Sequence, residues 1–279
     1  MPYAAVNGQR LYYEDSGGER PVLAFSHGLL MDHEMFAPQV AAFKDRYRCI
    51  VWDERGHGRT AGERIEPFTY YDSADDLAAL LAHLGVREAV LVGMSQGGYL
   101  SLRCALTHPQ LVRALILIDT QAQTEDPSKT PAYRQMLETW AAQGLPEAIA
   151  DTIAQIILGP AGEATLAGGA SAPAAAVDLA PIAAAWKAKW RTWQPHNLMA
   201  CFETLVGRDD LSPRLGEIQA PTLVIHGEAD IAITLDRARD MAARLPHAEW
   251  VTIPGAGHAS NLTHPAPVNA AIERFLARL

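Results

Sequence analysis

Cysteine is scarce in this 279-residue chain: Cys49, Cys104 and Cys201 are the only three, and none lies near another in sequence. That spacing excludes a C-x-x-C redox pair and a cysteine zinc cluster. Cys49 and Cys104 sit inside apolar runs, so they read as buried thiols of a core. Basic runs are also missing. With 23 Lys and Arg against 32 Asp and Glu, the formal net charge is -9 at pH 7, and no stretch offers the basic patch that a nucleic acid demands. No segment approaches the ~20 consecutive apolar residues of a membrane helix. The opening stretch, MPYAAVNGQRLYYEDSGG, has no basic start followed by an apolar core, so no secretory signal is read there. The expectation is a soluble cytoplasmic protein whose partner is a small molecule, neither nucleic acid nor membrane. The sequence leaves oligomeric state open.

What is present is apolar patterning. Hydrophobic residues make up 49% of the chain, enough for a packed core. AAVNGQRLYYEDSG reads as two short strands joined by a tight turn at Asn7-Gly8. Beyond it, apolar strands (PVLAFSHG, CIVWDERGHG, AVLVGMSQGG, VRALILIDT) alternate with helical patterns (FAPQVAAFKDRY, YYDSADDLAALLAHLG, YLSLRCALTHP). Continuously apolar strands between helices predict an α/β fold, a mostly parallel doubly wound sheet covered on both faces. The alternation stops after Thr120 and resumes at APTLVIHGEAD. Residues 1–120 and 214–279 are therefore expected to form one core, interrupted by a helical cap over 121–213. The cap holds Trp140, Trp186, Trp190 and Trp193, four of the six tryptophans. Trp186, Trp190 and Trp193 are spaced to share one helix face, a stripe that reads first as glue between cap and core, with a pocket-lining role for one or two of them as the alternative. LAGGASAPAAAVDLAPIAAAW, rich in Ala, Gly and Pro, predicts a mobile connection.

The chemistry starts at Gly93-Met94-Ser95-Gln96-Gly97, a G-x-S-x-G with a strand before it and a helix after it. A serine hydroxyl is a poor nucleophile until a base takes its proton. VTIPGAGHAS supplies that base, His258, on another strand-end loop. The imidazole in turn needs a carboxylate to fix its tautomer. Asp230 in LVIHGEAD is favoured for this, with Glu228 beside it and Asp119 at the end of ALILID as competitors. Two main-chain N–H groups must hold the developing oxyanion: that of Gln96, directly after the serine, and that of Leu29 in the loop after VLAFSHGLL. His27 and the DERGHG loop, with Asp53, Arg55 and His57, read as bracing. Arg208, Asp209 and Asp210 read as an ion pair or helix cap. Met31, Met94, Met199 and Trp186 are candidates for the substrate wall.

The motifs SHGLL, DERGHG, GMSQGG, GEAD and GAGH, in this order and across nearly the whole chain, resemble the landmarks of the α/β-hydrolase superfamily with a helical cap. LLMDHEMFAPQVAAF followed by VWDERGHGRT is most similar to the branch of 3-oxoadipate enol-lactonases and related esterases, although those lactonases carry Asn-Ser where this chain has His27-Gly28. The resemblance implies a serine hydrolase, a carboxylesterase or lactonase, that needs no metal or organic cofactor. Dehalogenases and epoxide hydrolases of this fold place Asp at the elbow, whereas Ser95 suits attack on a carbonyl. Three other enzymes use the same triad: a perhydrolase or cofactor-free haloperoxidase, a carbon–carbon bond hydrolase and a hydroxynitrile lyase. A small-molecule receptor with little turnover is the alternative of another class.

Overall fold

The structure is a computed structural model describing residues 3–60, 64–159 and 178–279. Eight strands form one sheet: β1 (Tyr3–Val6), β2 (Gln9–Asp15), β3 (Val22–Ser26), β4 (Arg48–Trp52), β5 (Ala89–Met94), β6 (Val112–Ile118), β7 (Thr222–Gly227) and β8 (Ala248–Ile253). Their order across the sheet is β1-β2-β4-β3-β5-β6-β7-β8. The first hairpin is antiparallel, as is its junction with β4; every other pairing is parallel. Asn7 and Gly8 have φ of 47° and 71°, the paired positive values of the tight turn that Asn-Gly favours.

The described α-helices are α1 (Ala37–Phe43), α2 (Tyr70–His83), α3 (Gln96–Thr107), α4 (Thr130–Gln143), α5 (Glu147–Leu158), α6 (Leu179–Trp190), α7 (Pro195–Val206), α8 (Leu235–Arg244), α9 (Ser260–Thr263) and α10 (Pro265–Leu276). α1 is shorter than its sequence pattern, because the chain after Phe43 closes in single turns through Arg46 and Tyr47. The helix α2 starts where its sequence says. Thr69 accepts from the Asp72 N–H while the Asp72 carboxylate takes the Thr69 N–H, a reciprocal cap worth about 1 kcal/mol.

Core strands owe their position to composition. Every residue of β5 and of β7 is buried, whereas β8 at the sheet edge is only half-buried. Cys49 and Cys104 are free and buried, as their apolar surroundings predict, and Cys201 is free and buried as well. The helices α4 to α7 all fall between β6 and β7 in the chain, where the alternation was seen to stop. Of the alanine-rich stretch expected to be a connection, residues 166–177 lie outside the described residues. From Leu179 onward it is helix α6 instead, since alanine is a strong helix former once Asp178 caps the first turn. No described helix is long and apolar enough to cross a membrane.

The sheet order also fixes where a site can form. From β3 the chain moves one way to β4, then returns to the other side of β3 for β5. The loops leaving β3 and β5 therefore part at a switch point, and a crevice opens there at the C-terminal strand ends.

Candidate active site

Ser95 stands in that crevice, between β5 and α3. Its φ of 51° and ψ of -116° are strained for a residue with a side chain. The turn survives because the surrounding structure over-determines it. Ser95 donates its N–H to Ile118 O at 3.0 Å and accepts from Thr120 Oγ1 at 2.7 Å. Glycine is obligatory on both sides. A Cβ at Gly93 would lie 2.3 Å from Gly97 O, and one at Gly97 would lie 1.9 Å from Ser26 O.

Two further loops converge on the serine. His258 Nε2 lies 3.0 Å from Ser95 Oγ, and His258 Nδ1 lies 2.8 Å from Asp230 Oδ2. With Nδ1–H donating to the carboxylate, Nε2 is left to accept from the serine hydroxyl. The other oxygen of Asp230 accepts from the N–H groups of Ala232 and Ile233 at 2.8 and 3.0 Å. Burial pushes the Asp230 carboxyl up, but His258 and these donors outweigh it and hold it below the usual range. Burial likewise pushes His258 down, and the Asp230 charge and hydrogen bond overcome this, leaving the imidazole above its ordinary value.

The competing carboxylates are occupied elsewhere. Glu228 is exposed and reaches the Gly255 N–H at 3.4 Å. Asp119 is fully buried and accepts from the N–H groups of Gly227 and Ser260 at 2.8 and 2.9 Å, tying together the segments that carry Asp230 and His258. Burial raises its carboxyl to about 6.

The N–H groups of Leu29 and Gln96 have no hydrogen-bond acceptor among the described residues; Leu29 lines the cavity described below, and Gln96 directly follows Ser95. Behind Gln96 lies a buried polar network that the sequence reading missed. Gln96 Nε2 donates to Glu54 Oε2 at 2.6 Å, Tyr70 Oη donates to Gln96 Oε1 at 3.3 Å, and Ser73 Oγ lies against Glu54 Oε1. Glu54 N–H donates to His27 Nε2 at 3.0 Å, so His27 does brace the loop. Burial raises the Glu54 carboxyl to about 8 and lowers the His57 imidazole to about 3, so both groups are neutral near pH 7. In the same DERGHG loop, Arg55 pairs with Asp76, and Asp53 accepts from His33 and Arg59. These bonds brace the loop against its neighbours.

A cavity of about 100 Å³ opens onto Ser95 and His258. Met31 and Met94 line it, with Met136 on α4, Ile153 on α5 and Phe202 on α7. Trp186 is not among the described lining residues; it is buried in the hydrophobic core, with Lys189 Nζ 4.4 Å from its ring centre. Met199 is also absent from the lining and packs against the core. Trp193 falls outside α6, because the helix ends at Trp190, and it meets the His57 ring edge-on. Helical spacing alone cannot reveal such an early stop. Arg208 forms the expected ion pair, with Glu125 at 2.9 Å, while Asp209 takes Arg103 and Asp210 accepts from the Ser212 N–H.

Two sets of possible metal ligands exist among the described residues, Asp32/His33/Asp53 and Asp119/His226/Asp230, with donor atoms within 4.8 Å of one another. The Lys189 ammonium pairs with Asp32 at 2.7 Å, where a cation would compete with it. A cation in the second set would compete with the Asp230–His258 hydrogen bond.

Residues 21–155 match a family model described as "alpha/beta hydrolase fold", and residues 187–279 match one described as "TAP-like protein". The chain is 28% identical to a putative carbamate hydrolase of Caulobacter sp. (strain K31), over 99% of this chain and 98% of the relative. It is also 28% identical to 3-oxoadipate enol-lactonase 2 of Acinetobacter baylyi, over 93% and 90% of the two chains. The solved structure of a thermophilic esterase from Thermogutta terrifontis superposes with a TM-score of 0.81 at 29% identity, covering 100% of this chain and 97% of that one.

Proposed function

The chain belongs to the α/β-hydrolase superfamily, and from that premise we propose that it is a serine hydrolase cleaving a small carboxylic ester or lactone through an acyl-enzyme. The observation that carries the reading is the unbroken series Asp230–His258–Ser95, at 2.8 and 3.0 Å, at the mouth of an apolar cavity. Ser95 Oγ attacks the carbonyl carbon while His258 Nε2 takes its proton. Asp230 holds the Nδ1–H and stabilises the imidazolium. The N–H groups of Leu29 and Gln96 donate to the tetrahedral oxyanion. As the intermediate collapses, the C–O bond breaks and His258 returns the proton to the departing alkoxide. In a lactone that alcohol stays attached to the acyl group. Water, deprotonated by His258, then releases the acid and restores Ser95.

No metal or organic cofactor takes part in these steps. The segment 121–213 acts in this reading as a cap, because α4, α5 and α7 supply cavity wall above the serine. The names of the relatives, a carbamate hydrolase, an enol-lactonase and an esterase, support hydrolysis at an acyl carbonyl.

Ser95→Ala should lower turnover of para-nitrophenyl butyrate by about 1,000-fold or more, measured as kcat at saturating ester. A fluorophosphonate should label the wild type and not the variant. Full activity without the hydroxyl would sink the mechanism. Labelling with a burst and no steady turnover would favour a receptor, and a peroxide-dependent halogenation assay tests the perhydrolase alternative.

A further inference from the structure

Each oxyanion donor of the proposed mechanism belongs to a peptide unit with a carbonyl at its other end. The Leu29 N–H shares its peptide with Gly28 O, and the Gln96 N–H shares its peptide with Ser95 O. In a trans peptide the two groups point in opposite directions. Whatever grips the carbonyl therefore aims the N–H.

A buried side chain grips each of these carbonyls. Gly28 O lies 2.9 Å from His27 Nδ1. The tautomer follows from the other ring nitrogen. His27 Nε2 accepts the Glu54 N–H at 3.0 Å, so the proton of the neutral ring sits on Nδ1 and is donated to Gly28 O. Burial holds this imidazole below its ordinary value, which keeps it neutral. Across the crevice, Ser95 O accepts from Thr120 Oγ1 at 2.7 Å. Thr120 lies just past β6 and is fully buried. Gly98 makes room for it, because a Cβ there would collide with the Thr120 hydroxyl.

Neither carbonyl needs these donors to be satisfied. Gly28 O also accepts the Met31 N–H at 3.1 Å, and Ser95 O also accepts the Gly98 and Tyr99 N–H groups at 2.8 and 3.2 Å. The two side chains add a surplus bond at the two peptides that matter to the reaction. A carbonyl that accepts a further bond polarises its peptide and makes the N–H at the far end a stronger donor.

We infer that His27 and Thr120 are paired positioning residues of the oxyanion hole, each acting through the peptide it holds: His27 on the Leu29 N–H and Thr120 on the Gln96 N–H. The inference rests on the hydrolase reading above and adds two side chains to it. Neither side chain lines the cavity. A substrate carbonyl would meet N–H groups already aimed and already polarised, with no reorganisation left for the moment of reaction.

The test sets Thr120→Val, which keeps the shape and removes the hydroxyl, against Thr120→Ser, which keeps the hydroxyl. With para-nitrophenyl butyrate, kcat of Thr120→Val should fall by about tenfold with KM little changed, and Thr120→Ser should return to within about threefold of the wild type. His27→Gln keeps an acceptor for the Glu54 N–H but loses the donor to Gly28 O, whereas His27→Asn keeps a donor at the Nδ1 position. His27→Gln should lose about tenfold in kcat, and His27→Asn clearly less. A trifluoromethyl ketone with a butyl chain gives a second readout, because its hemiketal with Ser95 is an oxyanion that does not turn over. In amide NMR spectra of that complex, the Leu29 and Gln96 N–H signals of the wild type should move downfield. Thr120→Val should shrink the Gln96 shift alone, and His27→Gln the Leu29 shift alone. A general loosening of the fold would not give that crossed pattern.

Unchanged kcat and amide shifts in Thr120→Val and His27→Gln overturn the inference and leave the hydrolase reading standing. So does an equal loss in Thr120→Val and Thr120→Ser, which would assign the effect to packing. The two pairs are read separately, so if one variant fails to fold the other pair decides. A wild type that neither turns over the ester nor binds the ketone overturns both readings.

Discussion

In the proposed mechanism one carboxylate does most to raise the protonation of the base. Asp230 lifts His258 above its ordinary value against the opposing effect of burial, and His258 accepts a proton only when neutral. The acid limb of kcat/KM should therefore lie above the pH of an ordinary imidazole. In Asp230→Asn the lifting charge is gone and burial remains, so the limb should move to lower pH while kcat drops by about 1,000-fold or more. Asp119→Asn keeps one acceptor for the Gly227 and Ser260 N–H groups, and its kcat should fall less than about tenfold; the reverse ranking in a pH–rate series would exchange the two roles. At this scale the sequence was informative wherever chemistry sits at a strand end. Ser95, Asp230 and His258 each follow an apolar run, and the structure brings their side chains into contact. It was silent on the side-chain contact between Glu54 and Gln96, which lie 42 positions apart and meet only through the fold.

Helices carry the lesson at the next scale. The elbow helix α3 begins at Gln96, and the buried Glu54 grips that residue's side chain. Gln96→Ala should keep the backbone donor yet loosen it, lowering kcat by roughly 10-fold with KM little changed, in steady-state kinetics. α6 has a comparable tie: Trp190 Nε1 donates to Leu30 O at 2.8 Å, joining the segment between β6 and β7 to the loop that holds Leu29. The sequence pattern placed the strands and most helices, because continuous apolar runs and capping residues act locally. It read Trp186 first as glue against the core, where the structure buries it; as pocket wall, the alternative, Trp186 is not among the described lining residues. Trp193 it placed on a helix that ends before it. Which face of a helix meets a cavity, and where α6 stops, depend on packing against neighbours that lie far away in the chain.

Across the whole molecule, buried ionisable groups tie stability to pH. Burial, with the Asp76 charge adding to it, raises the Glu54 carboxyl from 4.5 to about 8. The unfolded chain releases that proton first, so the stabilisation is complete below pH 4.5 and is lost as pH climbs through about 8. Glu54→Gln has no proton to release. Its melting temperature should gain on the wild type across this window, by an equivalent of a few kcal/mol, as read by calorimetry at several pH values. A constant difference would mean that Glu54 ionises freely when folded. The overall architecture was the most legible level, since alternating buried strands and helices admit few arrangements. The start of α3 rests directly on the end of β3, main chain against main chain, at Gly97 and Ser26. Side chains such as Glu54 and Trp190 tune the loops around it, but the contact itself has no room for one added methyl group. A side chain at position 97 would part the elbow from its neighbouring strand, whereas a change in the helices between β6 and β7 would reshape only the cavity.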